Sequence, residues 1–115
     1  MNILQKKTTA LVKWLKQADE SALTDPKFTQ EKAFSEWLGA AYSDPMFLFD
    51  GDYFEMYDKC RDKAVGTLTM RETRGCLTFL IRQMRCAYVP YDCVLDGSLL
   101  AFLEHWLDLT KEAQK

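Results

Sequence analysis

The chain has 115 residues, 48% of them apolar and 28% charged, with a formal net charge of −2. That length supports one hydrophobic core without disulfide or metal staples and predicts a single domain over residues 1–115. The balance is too weakly negative for a mimic of DNA and lacks the positive field of a dedicated nucleic-acid binder. No uncharged run approaches the roughly 18 residues a membrane span needs.

Asn2, with Gln5 three residues on, has the form of a capping box, and Leu4, Thr8, Leu11, Val12, Leu15 and Ala18 then recur at three- and four-residue steps. The spacing predicts a first helix over about residues 3 to 18, with Lys6, Lys13 and Lys16 on its solvated face. Residues 19 to 28 read as a connection. Asp25-Pro26 supplies a capping residue and a proline suited to a first turn, so a second helix is expected to follow it. Ala33, Phe34, Trp37, Leu38, Ala41 and Tyr42 form that helix's apolar stripe, and Ser43-Asp44-Pro45 ends it because the residue before proline is pushed out of the helical region.

Met46 to Phe49 are apolar but too few for a helix. With no second strand signal in the chain to pair with them, they predict an extended segment over the core. Asp50-Gly51 turns the chain into a third helix over about residues 52 to 63. That helix buries Tyr53, Met56, Tyr57 and Cys60 and collects Asp52, Glu55, Asp58 and Asp62 on its other side. Thr69-Met70-Arg71-Glu72 is the clearest capping box in the sequence, and it opens a fourth helix that runs to about Tyr88. Pro90 stops this helix, residues 91 to 95 suit one further turn, and Asp96-Gly97-Ser98 leads into a last helix over about 98 to 112. The core face of that helix is Leu99, Leu100, Leu103, Trp106 and Leu107. The expected fold class is all-α, a single-domain bundle of about five helices.

Cys60, Cys76, Cys86 and Cys93 read as free thiols. No secretory signal follows Met1, no CxxC pair occurs, and a reduced cysteine in a helical pattern packs as a small hydrophobe. His105 is the only imidazole, so no metal site is expected. Neither is a cofactor. Asp50 and Asp52 lack the alternating oxygen donors of a calcium loop and are expected to cap the third helix. No nucleophile with a base and no complete acid–base set can be assembled, so no catalytic residue is assigned and the chain is not expected to be an enzyme.

The richest feature lies in the fourth helix. Arg71, Arg74, Arg82 and Arg85 fall within about 80° of arc at 3.6 residues per turn, while Leu77, Leu80, Ile81, Met84 and Ala87 occupy much of the far side. Two readings stand open. The stripe either pairs with Glu55, Asp58 and Asp62 of the preceding helix, or it faces outward and binds external carboxylates or phosphates in bidentate fashion. Aromatics exceed what a core of this size needs, so Tyr42, Phe47, Phe54, Tyr88 and Tyr91 are candidates for surface anchors, with Tyr88 and Tyr91 beside the stripe.

From Phe49 to Leu107 the chain resembles a family of short bacterial and phage helical proteins known only as a domain of unknown function. The matching pieces are Phe49-Asp50, the run Leu77-Thr78-Phe79-Leu80-Ile81-Arg82-Gln83-Met84-Arg85, and Asp96-Gly97-Ser98-Leu99-Leu100. At Met84 and Cys86 it departs from the acidic and aromatic residues of that pattern. The resemblance implies a helical fold and a mobile-element or prokaryotic gene. In character the chain is similar to phage anti-CRISPR inhibitors, which implies a cytoplasmic protein, in the bacterial host cell, that blocks a larger partner sterically, such as a Cas nuclease or surveillance subunit. The expected contacts are Arg71, Arg74, Arg82, Arg85, Tyr88 and Tyr91. A monomer or homodimer, with no membrane partner, fits this reading. Nucleic-acid binding through the arginine stripe and a host regulatory or scaffold role are the alternatives.

Overall fold

A computed structural model describes residues 2–45 and 47–113. Among these, seven α-helices follow one another: α1 (Ile3–Gln17), α2 (Glu20–Thr24), α3 (Lys32–Ser43), α4 (Tyr53–Cys60), α5 (Met70–Arg85), α6 (Asp92–Leu95) and α7 (Ser98–Ala113), with 3-10 turns at Pro26–Gln30 and Val65–Thr67. No strand occurs among the described residues. The protein is all-α. Because α2 and α6 are about a turn each, α1, α3, α4, α5 and α7 carry the bundle, in agreement with the apolar periodicity.

Both predicted capping boxes form. At α1, the Asn2 N–H donates to Gln5 Oε1 at 2.9 Å and the Gln5 N–H returns to Asn2 Oδ1 at 2.8 Å. At α5, the Thr69 N–H donates to Glu72 Oε1 at 2.9 Å and the Glu72 N–H to Thr69 Oγ1 at 3.1 Å. Asp52 caps α4 through the Glu55 N–H, as expected. Other boundaries differ from the sequence expectation. The connection at 19–28 contains α2, capped by Asp19. Asp25-Pro26 opens a 3-10 turn, and the extended backbone of Glu31 delays α3 to Lys32. That turn inserts Phe28 into the core, where its ring meets Trp14, Phe34 and Tyr91. Helix α4 stops at Cys60 and α5 at Arg85, so Ala87 lies beyond the helix and is exposed.

Helix α1 packs on α3 and α7, and α5 packs on α4 and α7. Their apolar stripes meet in one core that includes Leu4, Leu11, Trp37, Leu77, Ile81, Leu99, Leu103 and Trp106. Gly75 sits in the interior of α5 at a cost of about 1 kcal/mol relative to alanine. A Cβ there would lie 2.5 Å from Met56 Cγ and 3.0 Å from Met56 Cβ, so the glycine sets how closely α4 approaches. Gly97, at φ +82°, provides the left-handed turn between α6 and α7. His105, half-buried on α7, has Nε2 2.8 Å from the Leu68 carbonyl and so ties α7 to the entrance of α5.

Phe47 to Phe49 form neither helix nor strand, but a turn and a bend rather than the extended segment expected, with the Phe47 N–H donating to the Asp44 carbonyl at 3.1 Å; Met46 lies outside the described residues. Phe47 is buried edge-on between Trp37 and Trp106, with ring centroids 6.3 and 5.2 Å away. With no strand beside it to satisfy the rest of its backbone, this irregular segment takes its remaining partners from α5. Thr78 Oγ1 accepts the Phe49 N–H at 2.8 Å, Arg74 Nε donates to the Phe47 carbonyl at 3.2 Å, and Arg74 Nη2 donates to the Leu48 carbonyl at 2.9 Å.

Candidate functional site

This segment changes what the arginine stripe is. On a helical projection Thr78 falls inside the arc of the four arginines and Gly75 at its margin, and both are buried. The stripe is therefore partly roofed by its own chain. Arg74, expected as a partner contact, is half-buried and holds the roof in place, which is a correction to its assignment. Arg71 is exposed, with its guanidinium carbon 4.6 Å from the centre of the Phe49 ring. Arg85 is exposed and lies 5.5 Å from the centre of the Tyr42 ring. Arg82 is half-buried, and its Nε is desolvated without any hydrogen-bond partner.

Among the described residues none of the four forms an ion pair, so the internal pairing with Glu55, Asp58 and Asp62 does not occur. The reason is helical geometry. On α4 the residues nearest the core are Met56, Tyr57 and Cys60, and Glu55 and Asp58 lie on the opposite side of the projection, pointing to solvent, while Asp62 falls in the exposed turn beyond the helix. Asp58 meets Arg61 at 3.7 Å within its own stretch of chain instead.

The aromatic candidates divide in a similar way. Tyr88 is 92% exposed, Phe54 58% and Tyr42 37%, whereas Phe47 and Tyr91 belong to the core. Tyr91, expected as a surface contact, is only 7% exposed because it precedes α6 and turns its ring inward onto Phe28 and Phe34 at 5.9 and 6.3 Å. Burial pushes its phenol above the ordinary value, with a smaller contribution from Cys93. A groove of about 410 Å³ remains beside Arg85, walled by Leu38, Tyr42, Met84, Ala87 and Tyr91. Tyr88 stands at the end of α5 next to it in sequence. The assembled surface is thus Arg71, Arg82 and Arg85 along about 20 Å of helix, with Tyr42 under Arg85; Tyr88 is exposed beyond the end of α5.

From the sequence Tyr42 read both as part of the second helix's apolar stripe and as one of several surface aromatics. Its position on the last turn of α3, next to Ser43-Asp44-Pro45, is a signal that it could reach a neighbouring helix, but nothing local says which one.

The thiols are set by burial. Cys76 and Cys93 are each pushed up to about 12, and Cys60 is also raised, in every case first by desolvation. Such thiols stay protonated and are poor nucleophiles. Cys86, expected to pack as a small hydrophobe, is exposed because α5 ends one residue before it. Among the described residues no three His, Cys, Asp or Glu side chains gather as a metal site would, and no helix is long and apolar enough to cross a membrane.

Fold and surface together define an all-α bundle that presents an arginine–aromatic face beside an apolar groove. No family model, curated protein or solved structure matches the chain.

Proposed function

We propose that this protein is a non-catalytic binding module that occupies a surface of a larger protein. The observation that carries the reading is the exposed pair of Arg85 on Tyr42 at the wall of an apolar groove, with the exposed Tyr88 three residues after Arg85 in the chain. Arginine and tyrosine are the side chains that dominate interface energies, and an apolar pocket next to them is where such anchors seat. Arg82 adds a guanidinium with no acceptor among the described residues, a donor that a partner's carboxylate would satisfy. The function we assign is that of a phage or mobile-element inhibitor of a bacterial defence complex, similar to anti-CRISPR proteins. It would act in the host cytoplasm by sterically covering a Cas nuclease or surveillance subunit. That choice rests on the resemblance read from the sequence of Phe49 to Leu107 alone, since no comparison supplies a match.

The test has two arms. In a bacterium with active CRISPR interference, expression of the chain is expected to restore transformation by a targeted plasmid and to recover a Cas subunit on pull-down. The variant R85E/Y88A should fold normally and lose both. Loss of one such anchor corresponds to about 2 kcal/mol, or roughly 30-fold in affinity. Undiminished interference in the presence of the wild-type chain removes the inhibitor assignment. Recovery of RNA alone, with binding that falls steeply as salt rises, replaces it by the nucleic-acid reading.

A further inference from the structure

A second cavity, of about 300 Å³, shares Met84, Ala87 and Tyr91 with the groove beside Arg85 but opens among other residues and takes in none of the four arginines. Tyr57, Phe79 and Tyr91 line it with aromatic rings, and Asp92 and Asp96 bring carboxylates to it. Tyr57 and Phe79 are stacked 4.0 Å apart at 10°, and Phe54 meets Phe79 edge-on at 5.3 Å, so the aromatic wall is continuous with an exposed ring. No lysine, arginine or histidine lines the cavity. Among the described residues no ion pair reaches Asp92 or Asp96. Asp96 turns one oxygen to the Ser98 N–H at 2.8 Å and the Ser98 hydroxyl at 2.6 Å, which leaves its second oxygen open.

Aromatic faces attract cations through the ring quadrupole, and carboxylates do so through charge. A cavity that combines both and carries no cation of its own is complementary to one kind of group. We propose that it receives a single basic side chain, an arginine or lysine, presented by the protein partner. This rests on the protein-binding reading above and names the chemistry of the partner at a second point of contact. The neighbourhood agrees with a net negative charge: Asp96 helps to raise both the Tyr57 phenol and the Cys93 thiol above their ordinary values, after burial in each case, and Arg61 opposes it at Tyr57 only as the smallest contribution. A phosphate-bearing ligand would be repelled here.

The experiment is an NMR titration of the full chain with the tripeptide acetyl-Gly-Arg-Gly-amide, beside the same peptide carrying neutral, isosteric citrulline. Shifts are expected to concentrate at Tyr57, Phe79, Gln83, Asp92 and Asp96, to shrink with added salt, and to be absent with citrulline. D92N changes a solvent-facing residue and leaves the fold intact; it should weaken binding roughly two- to fivefold, the worth of an exposed charge contact. Y57L should weaken it by a similar factor through loss of the ring. Equal shifts from citrulline, shifts elsewhere on the molecule, or no change with D92N overturns the proposal. Choline binding as well as the arginine peptide would assign the cavity to a free organic cation and overturn the side-chain source. None of these outcomes alters pull-down through Arg85 and Tyr88, so failure of this site and failure of the binding-module reading are separable.

Discussion

Arg74 and Arg85 have the same side chain on the same face of one helix, and their surroundings give them different work. Arg74 donates to two partly buried carbonyls of the irregular segment at Phe47 and Leu48, whereas Arg85 lies on a tyrosine ring at the surface. Hydrogen bonds from a charged donor to buried carbonyls are worth about 1.5–3 kcal/mol each, and leaving the acceptors unpaired costs a comparable amount. Arg74→Met should therefore lower the unfolding free energy by about 2–4 kcal/mol, measured by urea denaturation. Arg71→Met, which removes an exposed cation–π contact, should lower it by about 0.5–1 kcal/mol. Equal losses would mean that the roof over α5 does not depend on Arg74. Position within the stripe could not distinguish the two residues, because the difference comes from Phe47 and Leu48, more than twenty residues earlier in the chain.

Among the elements, α5 was the most legible and the most misread. Its start was plain in Thr69 and Glu72, since capping chemistry is local and needs only the side chains of one turn. The same geometry sets a pH dependence. The Thr69 backbone N–H, followed by Lys63, holds the Glu72 carboxyl at about 2 against an ordinary value of 4.5. A depressed carboxyl stabilises the fold above its unfolded value and stops doing so as it is protonated. The contribution of Glu72 is thus complete above about pH 5 and fades as pH falls toward about 2. Glu72→Gln should be less stable than the parent chain at neutral pH and converge with it near pH 2 in parallel acid-unfolding curves. A constant gap across that range would show that charge is not what the cap uses. The α5 surface was harder to read, because the spacing that aligns four arginines also places Thr78 among them and Gly75 at their edge, and only the neighbours decide which positions are covered.

At the scale of the whole molecule, one core joins all five long helices, and the thiols report on it. Cys60, Cys76 and Cys93 are buried and protonated, and Cys86 is exposed. Alkylation of the native chain should modify Cys86 alone, with the other three reacting only at the rate of global unfolding. Rapid modification of a second thiol under native conditions, read by mass spectrometry, would contradict the packing of α4 or α6. Amphipathic periodicity, caps and proline stops were enough to establish the order of the long helices and the main core residues, because each depends on chemistry within a few residues. Tertiary structure alone decided that α4 turns its acids away from the arginines, that Arg74 serves the backbone, that Tyr91 is core and Tyr88 surface, and that rings from α4 and α5 meet the carboxylates beside α6 around one cavity. Each of those outcomes depends on groups far apart in the chain competing for the same space and the same hydrogen bonds, and local spacing carries no record of which of them prevails.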